Sequence, residues 1–123
     1  MTTDQQIEHF IGESFSSIWD LEILTTLIEN EGVPMTAESL VERLRASDLI
    51  VGQGSRVLAA AGLASVTADG RVEFRPANRD LEESARAACQ FYRNFPGRAR
   101  RAIIARNAPG LTAFADAFRI KKD

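Results

Sequence analysis

Residues 36–63 read TAESLVERLRASDLIVGQGSRVLAAAGL. Thr36, followed by acids and then by Leu40, Val41 and Leu44, is a helix start with an apolar stripe behind it. Glu38, Glu42, Arg43 and Arg45 fall away from that stripe. Just past Ala46, Ser47-Asp48 is a second start signature. The helix it opens runs from Asp48 to Ala61 and stops at Gly62. Two short helices joined by so tight a turn make a candidate helix-turn-helix. With Leu58 in the core, Val51 and either Gly54 or Ser55 share its face. Asp48, Leu49, Gly52, Gln53 and Arg56 then point outward. Glycine in a helix interior costs about 1 kcal/mol relative to alanine. Gly52 and Gly54 therefore imply either close helix packing, a helix that starts later near Ser55, or close approach of a phosphate or partner.

Upstream, residues 4–15 place Ile7, Phe10, Ile11 and Phe15 at helical spacing. Ser16 or Ser17 caps a second helix or interrupts one longer helix. From Ile18 to Asn30 the chain is apolar around most of a helical circumference, leaving a narrow stripe of Asp20, Glu22, Thr26 and Glu29. Such a helix packs on more than one side. Gly32 ends it, and Val33-Pro34-Met35 reads as an edge strand or a bridge. Downstream of Gly62 the period changes to two, and residues 63–75 form a β-hairpin about an Asp69-Gly70 turn. Ala64, Val66, Val72 and Phe74 are expected on the buried face. Ser65, Thr67, Arg71, Glu73 and Arg75 are expected on the wet one.

Beyond Pro76, Asn78 or Asp80 opens a long helix. Its Leu81, Ala85, Ala88, Tyr92 and Phe95, spaced 4, 3, 4, 3, are candidate dimer contacts, although the same stripe could close the monomer's own core. Pro96-Gly97 ends that helix, a short basic helix follows, and Pro109-Gly110 breaks it. In the tail, Leu111, Phe114, Ala115 and Phe118 form one stripe that requires a docking surface. The fold class is mainly α with a small β-hairpin, in a single domain over 1–123. Residues 16–76 are its core, 4–15 an N-terminal helix and 78–123 C-terminal helices.

Helix, short strand, helix, tight turn, helix and hairpin is the order of a winged helix-turn-helix. The run L-A-A-A-G-L at Leu58–Leu63 resembles the junction between reading helix and wing in MarR-like bacterial regulators. That resemblance, over residues 16–76, implies a bacterial transcriptional regulator that binds double-stranded DNA, commonly as a homodimer. It implies a reading helix at 48–61 and a wing at 63–75. The expected DNA contacts are Gln53, Ser55 and Arg56 on the helix, Thr67, Arg71 and Arg75 on the wing, and Arg79 just beyond. Gln suits adenine and Arg suits guanine.

The net charge of −2 hides a split. Residues 1–62 hold three arginines against ten acids, a net of −7, whereas residues 63–123 hold twelve basic residues against seven acids, a net of +5. Such asymmetry is a partner signal. The acids stand against DNA binding, which rests on phosphate neutralisation. An alternative reading is thus a winged-helix protein–protein interaction module without DNA binding. Arg93, Arg98, Arg100, Arg101 and Arg106 form the densest basic cluster, either a partner contact or a solvated face paired within the chain.

Other functions lose ground by composition. One cysteine (Cys89) forms no intramolecular disulfide, and one histidine (His9) removes most metal and acid–base schemes. Gly52-Gln53-Gly54 lacks the residues of a phosphate loop. No catalytic residue, metal site or cofactor is expected. Cys89 reads as a buried, inert thiol, and Trp19 and Tyr92 as core aromatics. No apolar run approaches a membrane span and the polar N-terminus is no signal peptide, so a reducing cytoplasm is the expected compartment.

Overall fold

Apolar residues on nearly all sides of one helix demand that the rest of the chain be wrapped around it. The computed structural model describes residues 3–106. Its central helix, α2 (Ile18–Glu29), buries Leu21, Ile23, Leu24 and Leu27, and it follows α1 (Asp4–Ser14). Against α2 pack α3 (Ala37–Leu44), α4 (Asp48–Ala60), the strand β2 (Val72–Phe74), α5 (Arg79–Asn94) and α6 (Pro96–Arg106). The other strand, β1 (Ala64–Val66), lies on α4. The described residues are therefore mainly helical with one small antiparallel sheet. A common hydrophobic core takes side chains from every helix and both strands.

Local chemistry explains most boundaries. Thr3 and Gln6 form a reciprocal capping box at the start of α1. Asp20 accepts from the backbone N–H groups of Ser16 and Ser17 at 2.6 and 3.1 Å, which makes α1 and α2 two helices. Thr36, Ser47 and Asn78 cap α3, α4 and α5, each accepting from a backbone N–H three residues on. At the end of α4, Leu63 N–H donates to the Leu58 carbonyl and Gly62 N–H to the Ala59 carbonyl. That is a Schellman closure, and it needs the left-handed φ of +77° that Gly62 supplies. A Cβ there would also lie 3.2 Å from Leu81, so the junction is tight in space as well.

The hairpin pairs Ala64 with Phe74, Ser65 with Glu73 and Val66 with Val72. Met35 bridges to Val72 on the other edge, exchanging N–H···O bonds of 2.7 and 2.8 Å. Residues 33–35 thus supply a bridge. Expectation and structure differ at Val66, which is 44% exposed. Val72 has a neighbour on both edges, whereas Val66 sits at the turn end of the outer strand, which has no second neighbouring strand among the described residues.

In the C-terminal helices, burial chooses among the residues of the apolar stripe. The apolar stripe of α5 buries Ala85 and Ala88 completely, together with Cys89 and Phe91, in the chain's own core. Phe91, absent from the expected stripe, is 3% exposed, while Phe95 is 42% exposed. Helix α6 begins at Pro96 itself, where a proline loses no hydrogen bond and its fixed φ suits the first turn. Trp19 and Tyr92 are only half-buried. The tail stripe of Leu111, Phe114, Ala115 and Phe118 lies outside the described residues.

The two glycines of α4 have opposite surroundings. A Cβ on Gly54 would sit 2.4 Å from Cδ1 of Ile23 and 3.1 Å from Oδ1 of Asp20, so the closeness of α2 and α4 depends on its absence. A Cβ on Gly52 would meet only the Arg56 guanidinium, at 3.6 Å. Gly52→Ala should therefore stabilise the protein by about 1 kcal/mol. Gly54→Ala should destabilise it by about 1–3 kcal/mol through overpacking. Urea unfolding of the two variants checks both signs.

Candidate nucleic-acid interface

The buried side of α4 consists of Val51, Gly54, Ser55 and Leu58. Its rotation is thereby set, and the opposite side carries Asp48, Leu49, Gln53 and Arg56, all exposed, with Gly52 half-buried among them. Two of the expected DNA contacts on this helix, Gln53 and Arg56, are accessible. Ser55 is a correction: it is 6% exposed, and its hydroxyl faces the interior with no hydrogen-bond partner among the described residues. At 3.6 residues per turn, position 55 falls beside 51 and 58 on the core side.

The hairpin adjoins α4 through short backbone links. Arg75 N–H donates to the Leu63 carbonyl at 3.0 Å, and Ala77 N–H to the Gly62 carbonyl at 2.8 Å. These bonds tie the exposed Arg75, and Arg79 at the start of α5, to the C-terminal end of α4. Thr67 and Arg71 flank the turn. The Thr67 hydroxyl accepts from Arg71 N–H at 3.0 Å and donates to Asp69, so it serves the turn itself. That hydroxyl, more than the Arg71 guanidinium 3.3 Å from the carboxylate, holds the Asp69 carboxyl below its ordinary range. Arg71 thus carries its charge beside a compensating acid, while Arg75 forms no ion pair among the described residues. The sequence pattern does not single out Arg43, in the last turn of α3, or Arg45, at its C-cap, yet both are exposed next to the start of α4. Arg45 has a left-handed φ of 55°, a geometry that residue type alone gives no reason to expect.

Of the candidate dimer contacts, Ala85 and Ala88 lie inside the molecule, Leu81 and Tyr92 are half-buried, and Phe95 is exposed. Ala85 and Ala88 have no surface to offer, Leu81 packs under Gly62, and the Tyr92 hydroxyl donates to Glu22 of α2. Burial first, and then Glu22, pushes the Tyr92 phenol above its ordinary value. The basic cluster is split likewise. Arg98 bonds Glu8, lies 3.8 Å from Asp4, and stands over the rings of Phe91 and Phe95 at 5.0 and 5.2 Å. It belongs to the fold. Arg93, Arg100 and Arg101 are exposed.

No group of three or more potential metal ligands occurs among the described residues, and no described helix is long and apolar enough to cross a membrane. Burial pushes the Cys89 thiol up to about 11, against a smaller opposing effect of the Thr25 hydroxyl. The nucleophile is the thiolate, whose fraction falls tenfold for each unit of that rise. Native protein at pH 8 should therefore react with a thiol reagent at least about a hundredfold more slowly than urea-unfolded protein. Parallel labelling time courses test this, and equal rates would contradict the buried thiol. Set beside known proteins, the chain matches no family model, no curated protein and no solved structure.

Proposed function

We propose that this chain is a winged helix-turn-helix protein that binds duplex DNA and regulates transcription, reading the major groove with α4 and the adjoining backbone with the hairpin. The observation that carries the reading is the Met35–Val72 bridge. It joins the segment before α3 to the hairpin after α4, in the strand order Met35, β2, β1. The three helices α2, α3 and α4 and this sheet thereby form one unit with the element order of a winged helix. Exposure of Gln53 and Arg56 on α4 supports it, since both are base-reading side chains that face away from the core. Arg75 and Arg79, held near the end of α4, and Arg43 and Arg45 before its start supply cations for phosphates.

Electrostatics decides the strength. Asp48 stands on the exposed face at the start of α4, where it favours the helix but repels phosphate. Arginines on the flanks must outweigh it. One chain on one site is sufficient for this reading.

Binding to random duplex DNA should weaken steeply with salt. With roughly four phosphate contacts, affinity should fall about a hundredfold between 50 and 200 mM salt. Changing Arg75 and Arg79 together to alanine should lower the slope of log K against log salt by about 2. Fluorescence anisotropy with a labelled random duplex gives both quantities. Absence of salt-sensitive binding at low ionic strength would overturn the proposal and leave the protein-interaction alternative.

A further inference from the structure

Resting on the duplex-reading proposal, we infer that Leu49 reads the 5-methyl group of a thymine, so that the preferred site of this protein has a favoured thymine about two base pairs from the base met by Gln53. Leu49 is 66% exposed, more than Val33, Val66, Phe95 or Ile104, the other exposed large hydrophobic residues among those described. It stands in the first turn of α4, the part of a reading helix that reaches base edges. Among the described residues the fold does not use it: Val51 and Leu58 supply the apolar contacts of α4 on the other side.

Its surroundings on α4 form a notch. The residue three positions on, which would flank Leu49 on the helix surface, is Gly52. Packing explains Gly54 but not Gly52, whose missing side chain leaves open space apart from the Arg56 guanidinium. A bare backbone beside an exposed leucine admits a small apolar group, and in the major groove the thymine methyl is that group. Spacing fits the polar readers. Gln53 and Arg56 lie about 6 and 10 Å further along the axis at ~1.5 Å per residue. These distances correspond to roughly two and three base pairs. Leu49, Gln53 and Arg56 thus form one reading row, chemically matched to a methyl group, an adenine edge and a guanine edge.

The experiment uses the full chain and two randomised duplex pools, one made with thymine and one with uracil, which lacks only the methyl group. Wild-type protein should enrich a motif containing thymine from the first pool. Replacing that thymine by uracil in the enriched duplex should weaken binding about fourfold, the worth of burying one methyl group. Leu49→Ala should bind the thymine duplex several-fold more weakly than wild type and be indifferent to the uracil exchange. Gly52→Ala should also bind more weakly while being more stable to urea, a combination that a purely structural role does not produce. Enrichment of a motif whose binding is insensitive to uracil in the wild type, or equally sensitive in Leu49→Ala, would overturn the inference and leave DNA reading intact. Failure to bind any duplex would overturn both.

Discussion

Helix α4 lies against α2 at a distance that only a missing side chain permits. A methyl group on Gly54 would drive into Ile23 and crowd the buried carboxylate of Asp20. That contact sets the rotation of α4 about its axis, because Val51, Ser55 and Leu58 follow Gly54 inward. Everything outward follows by geometry: Leu49, Gln53 and Arg56 have no alternative to solvent. The Schellman closure at Gly62 then turns the chain into β1, and the hairpin is held where its arginines adjoin the end of α4. The exposed row of α4 is thus specified from its back. Asp20 is central to this node. Burial raises its carboxyl, yet the Ser16 and Ser17 N–H groups oppose that rise and hold the start of α2.

The charge split has an intramolecular answer. Arg86 of α5 bridges to Glu31, beyond α2, at 2.6 Å, and Arg98 of α6 reaches Glu8 and Asp4 on α1. The acidic and basic halves are therefore partly each other's partners. Such surface pairs are individually weak. Arg98 does more than an isolated pair because its guanidinium also covers Phe91 and Phe95, joining α1, α5 and α6 at one point. Tyr92 adds a further link between α5 and α2 through Glu22. Once these pairs are formed, Arg43, Arg45, Arg56, Arg75 and Arg79 remain exposed on and around the proposed reading face.

Local signals carried most element boundaries. Thr36, Ser47 and Asn78 are caps whose chemistry acts within three residues, so their helices start where such residues stand. The turn at Asp69-Gly70 and the stop at Gly62 are equally local. Errors arose where burial depends on distant neighbours. Val66 and Val72 share a period and a residue type, but Met35 bridges to one, and among the described residues no strand lies outside the other. The 4-3-4-3 stripe of α5 suits a dimer seam and a monomer core equally, and α1 and α2 claim it for the core.

By itself, the sequence determined the helix and hairpin order, the caps, and a single free thiol too isolated for a disulfide. These follow from short-range sterics and hydrogen bonds along the chain. Only the tertiary structure decided how closely α4 is packed, since a Cβ on Gly54 would meet Ile23 whereas one on Gly52 would meet only the Arg56 guanidinium. It also placed Ser55 inside, where the resemblance implied a DNA contact. The physical reason is that periodicity names the faces of a helix, whereas which face is buried, and how closely, is set by the surface that packs against it.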